Sequence, residues 1–404
     1  MKKITLTAIG LAMFCASNVK AAGYQLNEYS VTGLGRSFAG AGVVGDDYSA
    51  LAYNPAGMTL VKRSGVQGSL TMAEMASTIK GNAPFEGEET KMHYGVSLPA
   101  GFAHWNVNDK LFLGAGIYAP YGLSTKHKSG SFISQVARKS ELEVIDSSLA
   151  AAYKVTDKLS LGATATLRYI HGNMTGNLTN YTNAYGDYNY DLDGWTGTGT
   201  IGAMYEFTPD TRLGISYKFR SMQKVKGDFT VNMLGAQMVY PDAASSPDLP
   251  AGVLISGYHK LNEKVGLSSS IRWTEWSKSF QEFSMKSAEP SGNFNVTHPY
   301  KWRDTWTVAV GADYYFNDNW TFRVGTAYDQ SPAEDPANRS NRIPDSDRIW
   351  LSAGLSYHAD NWQLDAGVAH LFMKKADIGM SGKHIPAEYS SYSNMYGLNF
   401  MYKF

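Results

Sequence analysis

Thiol chemistry is nearly absent from this chain. Its 404 residues include one cysteine, Cys15, and that residue falls in a stretch that reads as a removable leader. The rest has none, so no disulfide and no thiol nucleophile is expected. Net charge is missing too. The 36 basic side chains balance 36 acidic ones, which argues against a nucleic-acid partner and against a polybasic membrane patch. Past residue 21 no apolar run reaches the roughly 18 residues of a spanning helix. The 9 histidines form no HxxxH or His/Cys cluster, so no metal is expected. There is no GxSxG. Gly33-Leu-Gly35-Arg-Ser-Phe-Ala-Gly40 faintly resembles a dinucleotide loop, but the third glycine is misplaced and no strand precedes it. The expectation is no cofactor and no enzyme. One opening stays: a Ser/His/Asp triad is set by geometry and leaves no motif.

What is present begins with secretion. Lys2 and Lys3 precede an apolar run from Ile4 to Cys15, and Val19-Lys20-Ala21 fits a small-x-small rule. This places a signal peptide at residues 1–21. Phe14 before Cys15 argues against a lipoprotein signal. A secreted soluble β-protein, a periplasmic protein and an outer-membrane barrel remain. A bilayer admits only helices and closed barrels, because it holds no water for open backbone groups. Aromatics make up 13%, with 26 Tyr and 9 Trp, side chains suited to a membrane interface.

Residues 22–59 are glycine-rich, and their apolar positions (Tyr24, Leu26, Leu34, Phe38, Val43, Val44, Leu51, Tyr53) follow no single period. They read either as a plug or as a mobile leader. From residue 60 the period is two. Leu159, Leu161, Ala163, Ala165, Leu167 and Tyr169 oppose Ser160, Gly162, Thr164, Thr166 and Arg168. Trp320, Phe322, Val324, Thr326 and Tyr328 oppose Thr321, Arg323, Gly325, Ala327 and Asp329. Tyr396, Leu398, Phe400, Tyr402 and Phe404 oppose Gly397, Asn399, Met401 and Lys403. One face is apolar with aromatic ends and the other is small or polar, over lengths near the ~9–11 residues of a membrane-crossing strand.

Tight polar turns recur near Asn108, Asp157, Asp210, Asn262, Asp318 and Asp360. Longer polar loops alternate with them at 77–91, 123–138, 173–190, 222–244, 284–301, 330–346 and 376–391. Short turns belong to the periplasmic side of such barrels. Six turns and two free ends on one side give seven hairpins, hence 14 antiparallel strands with both termini periplasmic. The count is open by one hairpin near Val225–Met233. The expected fold is all-β: a 14-stranded transmembrane barrel over residues 60–404, with residues 22–59 as a small hatch inside the lumen. Leu111–Gly122 alternates and then meets Pro120. Proline cannot donate to a ladder, so this is either a kink that opens the wall or the end of the strand.

These features come with a resemblance. GYQLNEYSVTGLGRSFAG after the signal, the triplet Asn54-Pro55-Ala56, DNWTFRVGTAYDQSP at 318–332, ANRSNRIPDSDRIWLSAG at 337–354 and the terminal strand resemble the FadL family of outer-membrane long-chain fatty acid transporters, which includes members for aromatic hydrocarbons. The likeness spans nearly the whole mature chain. It implies a 14-stranded barrel with an N-terminal hatch and a monomer. It implies that Asn54, Pro55 and Ala56 are the hatch motif against the wall and that Asp329 helps hold the hatch. It also implies that Ala119, Pro120, Tyr121 and Gly122 form a kinked third strand at a lateral opening. The family's carboxylate-binding groups do not map one to one. By parity Arg168, Arg272, Arg303 and Arg323 point inward, to pair either with a substrate carboxylate or with an inward Asp313, Asp329 or Asp365.

The function this implies is passive transport of a hydrophobic small molecule, a fatty acid or an aromatic hydrocarbon, past outer-membrane lipid and lipopolysaccharide. Phe132, Phe283 and Leu234 are candidates for an apolar groove among the outer loops. The rival classes are a general diffusion porin, with an open conducting lumen, and a surface adhesin or barrel hydrolase.

Overall fold

A computed structural model of the chain describes residues 23–177, 186–279, 282–287, 294–380 and 384–404. The expected signal peptide lies outside the described residues.

Strict alternation becomes wall strand throughout. In chain order the strands are β1 (Gly65–Gly81), β2 (Glu89–Asn106), β3 (Leu111–Lys126), β4 (Lys139–Lys154), β5 (Leu159–Asn177), β6 (Asp187–Thr208), β7 (Thr211–Lys218), β8 (Gly252–Asn262), β9 (Val265–Thr274), β10 (Thr305–Tyr315), β11 (Trp320–Asp329), β12 (Arg348–His358), β13 (Trp362–Met373) and β14 (Ala387–Lys403). Each pairs antiparallel with its neighbours in sequence, and β14 pairs with β1 from Gly65↔Lys403 to Gly81↔Ala387. The result is the expected closed 14-stranded barrel, and closure removes the sheet edges that would otherwise lie in lipid.

Side-chain parity agrees with the alternation. On β11 Phe322 and Val324 face out, while Thr321, Arg323 and Asp329 are buried within. On β14 Tyr396, Leu398, Phe400 and Tyr402 are exposed, against buried Met395, Asn399 and Met401. The six short turns fall between strands as expected. Their side chains close them locally: Asn108 Oδ1 accepts from the backbone of Lys110 and Leu111, both at 2.9 Å, a common turn-forming use of asparagine.

The other end departs from the sequence expectation. Strands run on into stretches read as loops: β1 reaches Gly81 and β14 starts at Ala387. The expected loop 222–244 contains a hairpin, Val225–Met233 and Ala236–Ser245. That hairpin pairs with Asp187–Asp193 of β6. A second hairpin, Glu282–Ser287 and Phe294–Pro299, joins it through Ala244↔Lys286. These additions heighten the wall and leave the count of spanning strands unchanged. These extensions carry polar residues on one face and bury the other against the loops, with Val225, Phe229, Val231 and Ala243 in one apolar cluster.

Residues 23–60 lie inside the cylinder. They form two single-turn helices, Val31–Leu34 and Ala50–Tyr53, and a 3-10 turn at Pro55–Leu60. Ser30 caps the first through a 2.9 Å bond from Gly33 N–H to its Oγ, satisfying a donor the helix start leaves open. Leu26, Leu34, Leu51, Tyr53 and Met58 pack with Phe102 and Phe112 of the wall in one buried cluster. Phe404 lies at the short-turn end, its N–H donating to Ser64 O at 2.8 Å. Gly23 departs from the expected position at that end. It sits within the lumen, its N–H on Asp345 at 3.0 Å, because the segment descends the lumen before it enters the wall at Gly65.

Candidate functional site

The inner segment is held by two kinds of contact, close backbone approach and buried charge. Asn54-Pro55-Ala56 rests on three wall glycines from adjacent strands. A Cβ at Gly162 of β5 would lie 2.5 Å from Ala56 N, one at Gly202 of β6 would lie 2.0 Å from Asn54 Oδ1, and one at Gly214 of β7 would lie 2.6 Å from Asn54 Nδ2. Only glycine admits such an approach. Asn54 also donates to Ala203 O at 3.1 Å and caps the 3-10 turn by accepting from Ala56 N–H at 3.1 Å.

The charged contact centres on Arg36. Its Nη1 is 2.7 Å from Asp46 Oδ2 within the segment and 2.8 Å from Asp313 Oδ1 on β10. Arg323 on β11 reaches the same two carboxylates, each at 3.1 Å. Two guanidiniums and two carboxylates therefore share one buried site, and each charge has a partner, as burial requires. Burial would raise the Asp46 carboxyl, but Arg36 and Arg323 outweigh it and hold it below the usual range. Asp47 next to it is raised by burial and by Asp46. Glu28 is pushed up to about 7, chiefly by burial, against bonds from nearby backbone N–H groups and the pull of Arg348.

The wall itself is incomplete at one seam. β1 pairs with β2 over the full run from Glu89 to His104, whereas β2 pairs with β3 only from Gly101↔Ile117 to Asn106↔Phe112. Past Ile117, β3 leaves β2. On its other side β3 stays paired with β4, but through a bulge: Tyr118 faces Asp146 and Tyr121 faces Val144, so Ala119 and Pro120 oppose the single residue Ile145. The inner segment takes the vacated edge. Gln25 pairs antiparallel with Tyr121, Leu26 N–H donates to Pro120 O at 2.9 Å, and Gly122 N–H donates to Tyr24 O at 2.8 Å. In an antiparallel ladder the N–H and C=O of one residue point to the same neighbour. Pro120's missing donor therefore lies on the edge where no wall strand follows.

Two cavities flank this pairing. One is walled mainly by apolar side chains including Tyr24, Leu123, Leu142, Ile170 and Leu192. The other is lined by Gln25, Tyr29, Tyr121, Lys218 and Arg272 among others. Tyr24 borders the first and Gln25 the second, so the paired segment is the partition between them.

The family model described as outer membrane protein transport protein (OMPP1/FadL/TodX) matches residues 12–404. The chain belongs to this family. It is a family of outer-membrane transporters of hydrophobic compounds, not of enzymes. A 47 kDa outer membrane protein of Pasteurella multocida is 31% identical, with 99% of this chain and 98% of that protein covered. A long-chain fatty acid transport protein of Escherichia coli is 28% identical over 99% of this chain and 98% of its own length. A Pseudomonas aeruginosa FadL homologue superposes with a TM-score of 0.86 at 26% identity, covering 95% of this chain and 100% of that one. The Ralstonia pickettii toluene transporter TbuX shares the fold, with a TM-score of 0.72 at 20% identity over 93% and 98% of the two chains.

Within this FadL/TodX barrel the residues singled out from sequence are used differently from one another. Asn54, Pro55 and Ala56 touch the wall directly, and Ala119–Gly122 carry the bulge. Asp329 bonds to the wall: its Oδ1 accepts from Thr307 at 2.6 Å and its Oδ2 is 3.5 Å from Arg348 Nε. Arg348 also pairs with Asp345 at 2.8 Å, so the carboxylate that meets the inner segment there is Asp345, on Gly23. Arg168 is closed by a two-pronged pair with Asp146, at 2.6 and 2.7 Å, and Arg323 by Asp313 and Asp46. Arg303 lies outside the strands and pairs with Glu334 at 2.7 Å, so strand parity does not apply to it. Arg272 alone of the four borders a cavity with a neutral partner, donating to Asn27 Oδ1. Lys218 joins it there, its Nζ 4.6 Å from the Tyr121 ring centre. Strand parity also places Lys218 inward, on the same face as Gly214 and Ser216.

Of the three residues expected in a loop groove, two have described side chains. Phe132 is buried against Phe85, ring centres 5.8 Å apart, because the outer loops use it for their own packing. Leu234 is 96% exposed at the tip of the Val225–Met233 hairpin. Phe283 lies in a strand whose side chains are outside the described residues.

Proposed function

We propose that this protein conducts long-chain fatty acids, or neutral hydrophobic molecules of similar girth, passively across the outer membrane. On this reading the signal is cut after Ala21 and the monomeric barrel stands with its short turns and Phe404 in the periplasm. The ligand enters from the long-loop side into the apolar cavity. Residues 22–59 act as a hatch, and their movement opens the partition at Tyr24–Leu26. The ligand then leaves sideways between β2 and β3 into the membrane. The pairing of the hatch with β3, in the place β2 has vacated, carries this reading. It fills a breach in the wall with a removable strand, and removal costs a few hydrogen bonds rather than a ladder. No energy source is needed: flux follows the gradient, and ligand shifts the hatch only by preferring its displaced state. A general diffusion pore would need a clear lumen, and the buried inner segment argues against that.

Lys218 and Arg272 support a fatty acid as one cargo. They are two basic groups at the cavity past the partition, where a carboxylate would gain charge-assisted bonds. Uptake of labelled oleate by cells lacking their own transporter tests the scheme. Pro120→Thr with Gly122→Val removes the proline and the small residue, so that β3 can pair through. Uptake should fall about tenfold or more while the folded barrel forms. Unchanged uptake would refute the lateral route.

A further inference from the structure

The freed edge of β3 presents alternate residues, and its acceptors and donors can be followed outward. Pro120 O and Gly122 N–H go to the hatch. The next residue on that edge is Ser124, and its carbonyl accepts from Tyr94 Oη at 2.7 Å. Tyr94 belongs to β2, in the stretch from Glu89 to Ala100 that pairs with β1 alone. Its side chain therefore reaches across the seam at a level where no ladder bond joins the two strands. The ring packs against the core cluster shared by hatch and wall, and the hydroxyl is also 3.3 Å from Met75 Sδ on β1.

We propose that Tyr94 is the wall-side gatepost of the lateral opening, a positioning residue that keeps the β2–β3 seam shut and sets how readily it parts. The proposal rests on the lateral-exit reading and adds a residue to it. An uncapped buried carbonyl is costly, so a parted pair of strands must keep its polar groups satisfied. A backbone ladder would do so by zipping the strands together. A single phenol does so with one bond that a side-chain rotation breaks, and the same phenol can turn to donate to a passing carboxylate. The hatch thus closes the inner part of the breach and Tyr94 the outer part. Both must yield for a ligand to leave.

Tyr94→Phe keeps the ring and removes the bond. Opening the seam then no longer breaks it, and a net hydrogen bond of ordinary strength corresponds to about a fivefold change in population. Oleate uptake should rise about fivefold, while binding of a fluorescent fatty acid to the purified full-length barrel stays unchanged. Amide exchange over residues 89–100 should quicken, and Tyr94→Gln, which restores a donor, should return uptake toward the parent rate. Unchanged uptake and exchange in Tyr94→Phe would overturn the proposal. A Tyr94→Phe chain that no longer folds would overturn it as well, by assigning the hydroxyl to stability. The Pro120/Gly122 pair separates the two readings. If that pair blocks uptake and Tyr94→Phe does nothing, the gatepost fails and the lateral route stands. If neither changes uptake, the route itself fails.

Discussion

Gly202→Ala on β6 is the sharpest test of how the hatch is seated. The added Cβ would lie 2.0 Å from Asn54 Oδ1, 3.0 Å from Asn54 Cγ and 3.2 Å from Pro55 Cδ. Ordinary contact begins at 3.4 Å, so relief needs a shift of 3.4 − 2.0, about 1.4 Å. The Asn54 side chain cannot simply swing aside. Gly214 holds its other end, where a Cβ would come within 2.6 Å of Nδ2. The triplet must lift, losing the bond to Ala203 O and the cap on Ala56 N–H. At about 1 kcal/mol for each bond, plus the cost of leaving a buried amide unmatched, the seat weakens by about 2–4 kcal/mol. That is about a 30- to 1,000-fold shift toward the displaced hatch. Single-channel recording in planar bilayers should read it as ion conductance above that of the parent, and heat-modifiable migration checks that the barrel is intact. Gly197→Ala, on the same strand with nothing within 4 Å of the new methyl, is the control and should behave as the parent. A folded Gly202→Ala barrel with parental conductance would refute the seating argument.

Three further outcomes follow from the same contacts. Arg36→Met leaves Asp46 and Asp313 to share Arg323 alone, one buried cation for two carboxylates, which should loosen the hatch by about 3–5 kcal/mol; amide exchange over residues 31–60 would rise, and adding Asp313→Leu should recover part of the loss. The seated Glu28 carboxyl keeps its proton up to about 7, against 4.5 when solvated, so seating is strongest in acid and weakens as pH climbs from 4.5 to 7, by up to about 3 kcal/mol. Conductance should rise across that window, and Glu28→Gln should flatten the profile. Lys218→Met with Arg272→Gln should weaken oleate binding about tenfold or more and leave an alkylbenzene unaffected; equal loss for both ligands would remove the carboxylate site.

Much of this was legible because a bilayer is a strict solvent. Alternation in Leu159–Tyr169 and Tyr396–Phe404 specifies a wall strand, since lipid on one side and a filled lumen on the other leave few choices for parity. Six compact turns number the hairpins. Pro120 marked the bulge, because proline has so few places in a sheet. The outer hairpin at Val225–Ser245 stayed an open question, because its buried positions, Val225, Phe229, Val231 and Ala243, are few and lie among polar residues that loop and strand share.

The amino-acid order by itself determined the barrel, its strand count and the presence of an aperiodic leading segment, because these depend on local period and turn chemistry. Tertiary structure decided what touches what. Which inward arginine is spent on an aspartate, which glycine admits Asn54, and which strand edge the residues Tyr24–Leu26 occupy all depend on pairs tens to hundreds of positions apart. Parity says only that a side chain points inward; closing the cylinder sets the partner it meets there.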